Sequence, residues 1–258
     1  MEPELLYFDS LCTRCHRCVA ACPNGATTVD ADGAIRIDRS RCKACGKCVE
    51  ACLSEARFMS GKLMRVEEVL EIVRADSLFY KNSGGGVTAS GGEPTAQPAF
   101  LLQFLKGCQR LGFDTCLDTC GYVPWETLEE ILEYVDLVLY DIKHMNPIRH
   151  IELTGVDNQL ILDNARRIVE KGIPLIVRVP LIPGCNDSNE NMEALGRFTA
   201  QLGNSRRLDL LPYHQLGIKK FDRLGRRYML EDIQLFKKAE VDEKVRLLGS
   251  YGLKVEVV

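Results

Sequence analysis

The stretch Cys12-Thr-Arg-Cys15-His-Arg-Cys18-Val-Ala-Ala-Cys22-Pro23 returns as Cys42-Lys-Ala-Cys45-Gly-Lys-Cys48-Val-Glu-Ala-Cys52-Leu53. Both copies read C-x2-C-x2-C-x3-C, and the duplication accounts for most of the chain's 12 cysteines. An x2 interval lets a tight loop present successive thiolates to one face of an iron-sulfur cubane, while the fourth cysteine, at the start of a short helix, reaches across to the other cluster. The spacing therefore predicts two 4Fe-4S clusters with crossed ligation: Cys12, Cys15, Cys18 and Cys52 on one, Cys42, Cys45, Cys48 and Cys22 on the other. Two zinc sites or a disulfide framework are the competing readings. Zinc takes paired C-x2-C units separated by a longer gap, without a third cysteine at the same interval. The small residues Ala20, Ala21, Ala44 and Gly46 suit close approach of backbone to sulfide, and His16 reads as an exposed bystander rather than a ligand.

A domain takes about 150 residues, so the 258 residues fit a small module plus a larger one. Hydrophobic residues at 46%, charged residues at 27% and a net charge of -3 describe an ordinary globular chain. That charge balance argues against nucleic-acid binding, which needs a concentrated basic face. The N-terminus has no basic segment leading into an apolar one, and no window approaches the ~18 apolar residues of a membrane span. The expected location is the cytoplasm, with neither membrane nor nucleic acid as partner. A reducing compartment also favours metal or redox use of cysteines over disulfides.

From residue 61 the pattern changes. Helical periodicity appears at Val66, Val69, Leu70 and Val73, at Leu101, Leu105 and Cys108, and at Leu128, Ile131, Leu132 and Val135. It recurs at Ile161, Ala165, Ile168 and Val169, at Met192, Leu195, Phe198 and Leu202, and at Val241, Val245 and Leu248. Between these lie apolar or β-rich runs at 87–90, 115–118, 136–141, 175–180, 208–213 and 253–258. Such alternation implies a parallel sheet covered by helices. Polar residues gather just after the runs: Ser90-Gly-Gly-Glu93, Asp118-Thr119, Asp141-Ile-Lys143, Arg178 and His214. Ligands bind at the C-terminal edge of parallel strands, where variable loops converge over a rigid floor. An aspartate there is often only a helix cap and a lone histidine only structural, but five strand ends together point to one small polar ligand.

These stretches resemble the glycyl-radical-enzyme activating enzymes of the radical S-adenosylmethionine superfamily. The matching segments are TASGGEP (88–94), CLDTCGY (116–122), DLVLYDIKHMN (136–146), IVRVPLIPGCND (176–187) and LDLLPYHQLG (208–217). The resemblance implies a partial parallel (β/α)6-type barrel lacking its first strand over residues 61–258, preceded by a ferredoxin-like α+β domain over 1–60. It implies reductive cleavage of S-adenosylmethionine to a 5'-deoxyadenosyl radical, which takes a hydrogen from a glycine of a partner glycyl-radical enzyme. The enzyme class would be the oxidoreductase type that activates formate C-acetyltransferase. By the same resemblance, Gly91, Gly92 and Glu93 receive the methionyl ammonium, Lys143 pairs with the carboxylate, and Arg178 and His214 contact the nucleoside half. Asp118, Thr119, the Leu139 carbonyl and Asp141 resemble a monovalent-cation site of some members. A flavodoxin or ferredoxin would donate electrons through the two clusters, a purely structural role for the insert being the alternative.

Superfamily members also carry a C-x3-C-x2-C motif for a further 4Fe-4S cluster, and these 258 residues do not contain it. Cys116 and Cys120 have the x3 spacing, but Val123 stands where the third ligand belongs, Cys108 lies on an apolar helix stripe, and the only other cysteine is Cys185. In the family the motif precedes a stretch resembling Pro3-Glu-Leu-Leu-Tyr-Phe8. The expectation is an N-terminally truncated chain without catalytic residues of its own, its third cluster present only in a full-length form. The run at 87–90 would then be an exposed edge prone to association. The rival reading is a non-catalytic iron-sulfur electron carrier or partner-binding protein. Iron analysis after anaerobic reconstitution checks the cluster count: about eight irons per chain are expected, and about twelve would reveal a third cluster.

Overall fold

The structure, a computed structural model, describes residues 3–203 and 206–258. Two compact units emerge, Met1–Met64 with His214–Ile233, and Arg65–Tyr213 with Gln234–Val258. The division expected at residue 60 falls at Met64, and the segment 214–233, which the sequence places in the barrel, groups with the first unit. Polar clamps that no hydropathy pattern registers hold it there. Arg39 Nη2 donates to the Arg223 carbonyl at 3.0 Å, the Arg223 guanidinium lies 4.2 Å from the Phe8 ring centroid, and Arg226 pairs with Glu4.

The first unit contains β1 (Glu4–Tyr7), α1 (Arg17–Ala20), β2 (Thr27–Val29), β3 (Ile35–Ile37), α2 (Lys47–Glu50) and β4 (Arg57–Ser60). Strands β1 and β4 pair antiparallel, as do β2 and β3. Its buried apolar core is small: Leu5, Cys18, Ile35 and Cys48, with Tyr7, Val19, Ile37, Val49 and Met59 packed against them. Helices of a single turn are unstable alone, so α1 and α2 depend on what the cysteines at their ends bind.

The second unit runs through α3 (Val66–Ala75), α4 (Ser77–Ser83), β5 (Gly86–Ala89), α5 (Pro98–Arg110), β6 (Asp114–Thr119), α6 (Trp125–Leu132), β7 (Leu137–Asp141), α7 (Pro147–Thr154), α8 (Gln159–Glu170), β8 (Leu175–Leu181), α9 (Asn189–Gln201) and β9 (Arg207–Pro212). After α10 (Ile218–Arg223), which belongs to the first unit, α11 (Lys238–Gly249) and β10 (Lys254–Val257) complete it. One sheet in the order β10-β9-β8-β7-β6-β5 is parallel throughout. Every strand expected from an apolar run is present within a few residues, and β5 lies at one edge of the sheet.

Burial alternates along these strands. On β8, Leu175, Val177, Val179 and Leu181 are buried while Ile176, Arg178 and Pro180 are half-buried. The buried set packs against Leu105, Leu128, Ile131, Ile168, Met192 and Leu195 of the helices, and each such side chain contributes about 1.5–3 kcal/mol. The opposite face therefore carries the residues free to meet a ligand.

Gly121 shows how tightly the loop after β6 is fitted. It sits at φ +69°, and a Cβ there would lie 1.8 Å from the Tyr140 hydroxyl oxygen. That hydroxyl donates to the Ile161 carbonyl at 2.7 Å, and Asn164 Nδ2 donates to the Gly121 and Val123 carbonyls at 2.9 Å each. Gly121→Ala combines left-handed backbone strain with overpacking, a cost on the order of 3 kcal/mol. Calorimetry should show Tm falling by roughly 5–10 °C.

Candidate functional site

The duplicated cysteine motifs share one backbone conformation. Arg14 (φ 53°) and His16 (φ 59°) of the first copy match Ala44 (φ 49°) and Gly46 (φ 79°) of the second, and Gly25 (φ 53°) matches Glu55 (φ 54°). Left-handed conformations at non-glycine residues cost about 1–2 kcal/mol each. They turn successive N–H groups into concavities of the kind that hold anions and iron-sulfur clusters. Amides already point at sulfur: Arg14 N donates to Cys12 Sγ at 3.4 Å and Ala26 N to Cys22 Sγ at 3.2 Å.

None of the twelve cysteines is in a disulfide, and the eight of the repeats are apportioned between two hollows. Cys22, Cys42, Cys45 and Cys48 line one, together with Leu5 and Thr27. Cys12, Cys15, Cys18 and Cys52 line the other, together with Tyr7 and Arg57. Each lining groups three cysteines of one repeat with the fourth of the other. Thiols spread around a hollow suit a larger polynuclear group. Arg57 is only 3% exposed, and its Nη2 has no hydrogen-bond partner. A buried cation in that state calls for an anion beside it, which a thiolate-bound cluster supplies.

In the second unit, the ends of β5, β6, β7 and β8 bring most of the expected ligand residues together. Glu93, in the loop after β5, accepts four hydrogen bonds. Oε1 takes them from Thr95 N at 3.1 Å, Thr95 Oγ1 at 2.8 Å and Thr119 Oγ1 at 2.7 Å, and Oε2 takes one from Cys120 N at 2.9 Å. Burial pushes its pKa up, but the Cys120 amide and the threonine hydroxyls outweigh it and hold the carboxyl below its ordinary value. Much of this carboxylate's capacity thus goes to stapling the Gly91-Gly92 loop onto β6. Gly91 itself faces open space, with nothing within 4 Å of a would-be Cβ at φ +126°.

Asp118, at the end of β6, accepts from Ser90 Oγ at 2.9 Å and pairs with Arg178 Nη1 at 2.9 Å. Arg178 stands directly across from Asp141 in the β7–β8 register, and Asp141 Oδ2 lies 3.7 Å from Lys143 Nζ. Asp141 Oδ1 is buried with no partner. Burial raises the Asp141 pKa, with Lys143 opposing and Asp118 reinforcing. An orphaned, buried carboxylate oxygen suits an ammonium group, a hydroxyl or a small cation. Thr119 is buried and committed to Glu93, which leaves it less available to the monovalent cation than the sequence suggested. His214 falls in the first unit, exposed at the cap of a 3-10 turn without a side-chain cap bond.

Sequence reasoning missed Ser90 as a partner of Asp118, and Arg57 altogether. Overlaying the two cysteine repeats would have exposed the latter, because Arg57 stands five places after Cys52 as Thr27 does after Cys22.

Residues 39–195 match the Radical SAM superfamily, and residues 5–53 match the 4Fe-4S dicluster domain. The chain is 43% identical over 238 residues to the isethionate sulfite-lyase activating enzyme of Nitratidesulfovibrio vulgaris, covering 90% of this chain and 77% of that protein. It is 38% identical over 260 residues to the choline trimethylamine-lyase activating enzyme of Oleidesulfovibrio alaskensis, covering 99% and 84%. A solved domain of a pyruvate-formate lyase-activating enzyme from Bacteroides vulgatus superimposes with a TM-score of 0.58 at 32% identity, over 67% of this chain and 99% of that one.

The Glu93 staple makes a prediction of definite sign. A carboxyl whose folded pKa is depressed contributes stability above its unfolded pKa and loses it as pH falls through the folded one. Glu93→Gln should cost about 1–3 kcal/mol near neutrality, and the gap in Tm to the native chain should narrow as pH drops through the carboxylate range. A constant gap counts against the charge-based account.

Proposed function

Since the chain belongs to the glycyl-radical-enzyme activating enzymes of the radical S-adenosylmethionine superfamily, we propose that the C-terminal edge of its sheet positions S-adenosylmethionine. We further propose that the first unit carries two 4Fe-4S clusters which pass electrons from a flavodoxin or ferredoxin. The family cleaves S-adenosylmethionine reductively and removes a hydrogen from a glycine of its partner glycyl-radical enzyme, iron-sulfur clusters supplying the electrons. No helix among the described residues is long and apolar enough to cross a membrane, and the reading places the reaction in the reducing cytoplasm.

The observation that carries the positioning role is the pairing of charges at the strand ends. Asp141 Oδ1 offers a buried acceptor, Lys143 and Arg178 offer cations, and Asp118 orients Arg178 through a 2.9 Å pair. S-adenosylmethionine carries an ammonium, a carboxylate and a sulfonium, so it needs both signs of charge at close quarters. Glu93 fixes the Gly91-Gly92 backbone, whose carbonyls would receive the ammonium, and Lys143 would meet the carboxylate. His214 is assigned to the nucleoside by resemblance alone.

Isothermal titration of S-adenosylmethionine into the anaerobically reconstituted protein tests this. Lys143→Ala and Arg178→Ala should each weaken binding at least about tenfold, roughly one charge-assisted contact. Equal affinity in all three proteins overturns the assignment and leaves the electron-carrier reading, in which only the first unit acts.

A further inference from the structure

The two cysteine-lined hollows come from one duplicated motif, with the same spacing and the same left-handed positions. The duplication is broken at one buried place. Thr27, at the start of β2, lines the hollow of Cys22, Cys42, Cys45 and Cys48. Arg57, at the equivalent start of β4, lines the hollow of Cys12, Cys15, Cys18 and Cys52. Both residues are 3% exposed, and they touch: Arg57 Nη1 donates to Thr27 Oγ1 at 3.3 Å. The remaining face of the guanidinium has the Tyr7 ring 5.4 Å from Cζ. Among the described residues no carboxylate pairs with Arg57, and Nη2 is left without a partner.

We propose that Arg57 makes the two clusters electronically unequal, so that the one held by Cys12, Cys15, Cys18 and Cys52 has the higher reduction potential and takes the first electron. This rests on the two-cluster reading above. Adding one electron makes a cluster one unit more negative while no bond is made or broken. A full positive charge in a site closed to water stabilises that added charge far more than a threonine hydroxyl can, because the low local dielectric leaves it unscreened. Thr27 gives the second cluster a neutral dipole, and Lys43, the cation lining that hollow, is exposed, so that solvent screens its charge. The partnerless Nη2 fits the same account, since its counter-charge is the cluster itself. The first unit is then a stepped pair in which residue 57 fixes where an incoming electron rests.

A redox titration of the reconstituted protein followed by electron paramagnetic resonance reads both potentials. Arg57→Gln should lower the higher potential by about 59 mV, a tenfold loss in electron affinity, and leave the lower one in place. Arg57→Lys, which keeps the charge, should hold the potential within threefold in the same constant. Two unchanged potentials in Arg57→Gln, or equal shifts in both, overturn the proposal. Should Arg57→Gln fail to assemble, the native charge still permits an independent check. Cys15→Ser and Cys45→Ser each alter the resonance of one cluster, and the first-reduced signal must be the one that Cys15→Ser changes. If Cys45→Ser changes it instead, the proposal fails while the two-cluster reading stands. A protein with no reducible iron would sink that reading itself.

Discussion

Burying a charge without a counter-charge costs several kcal/mol, and both sites of this protein are arranged by that constraint. Glu93 is half-buried among donors, with four hydrogen bonds to its two oxygens. Asp118 is answered by Arg178, and Asp141 in part by Lys143. Where the account does not close, at Asp141 Oδ1 and Arg57 Nη2, the open group marks a place for something outside the chain. The two orphans have opposite sign. One asks for a cationic or hydrogen-bond-donating ligand, the other for an anion.

The same constraint explains why the first unit can be so small. Four buried residues form its apolar centre, two single-turn helices lend little, and several non-glycine residues sit in left-handed conformations. A domain so built needs another source of stability, and small metallo-domains draw it from the bound metal, whose binding free energy is folding free energy. The strained loops then follow from the ligand: turning N–H groups towards sulfur requires the left-handed positions, and the cluster offsets their cost.

The parallel sheet was legible because its strands are apolar runs between strongly periodic helices, and Leu117, Val177 and Leu208 bury fully as that pattern requires. Other parts were hidden for physical reasons. The α7 helix is stabilised by its ends, with Asn146 Oδ1 accepting from Ile148 N and Arg149 N and Gly155 closing it at φ 86°, and it buries only His150 while Ile148, Ile151 and Leu153 stay exposed, so no buried apolar stripe marks it. The segment 214–233 is held by arginine contacts to carbonyls, a carboxylate and a ring, and charged residues give no hydropathy signal. Strand ends announced Asp118, Asp141 and Arg178, but which of them pair is a tertiary effect: Asp141 and Asp209 flank Arg178 in the register, yet its 2.9 Å ion pair is with Asp118, two strands away on β6.

Register also decides what the sheet edge can recognise. Neighbouring parallel strands set Asp141 beside Arg178 and Arg178 beside Asp209, so charges alternate across the edge instead of accumulating. Asp209 is already held by Arg207 at 2.8 and 3.1 Å, which leaves Asp118 and Asp141 facing Lys143 and Arg178 as a nearly neutral quartet. A simple anion or cation would gain from half of such a quartet and be repelled by the rest. In the reading proposed above, a compact zwitterion gains from both halves in one orientation, because Asp118, Asp141 and Arg178 stand on fixed strands and Lys143 follows β7 by two residues. On that proposed reading, the alternation that keeps the folded edge from repelling itself also sets the direction in which a zwitterionic amino-acid head lies across it.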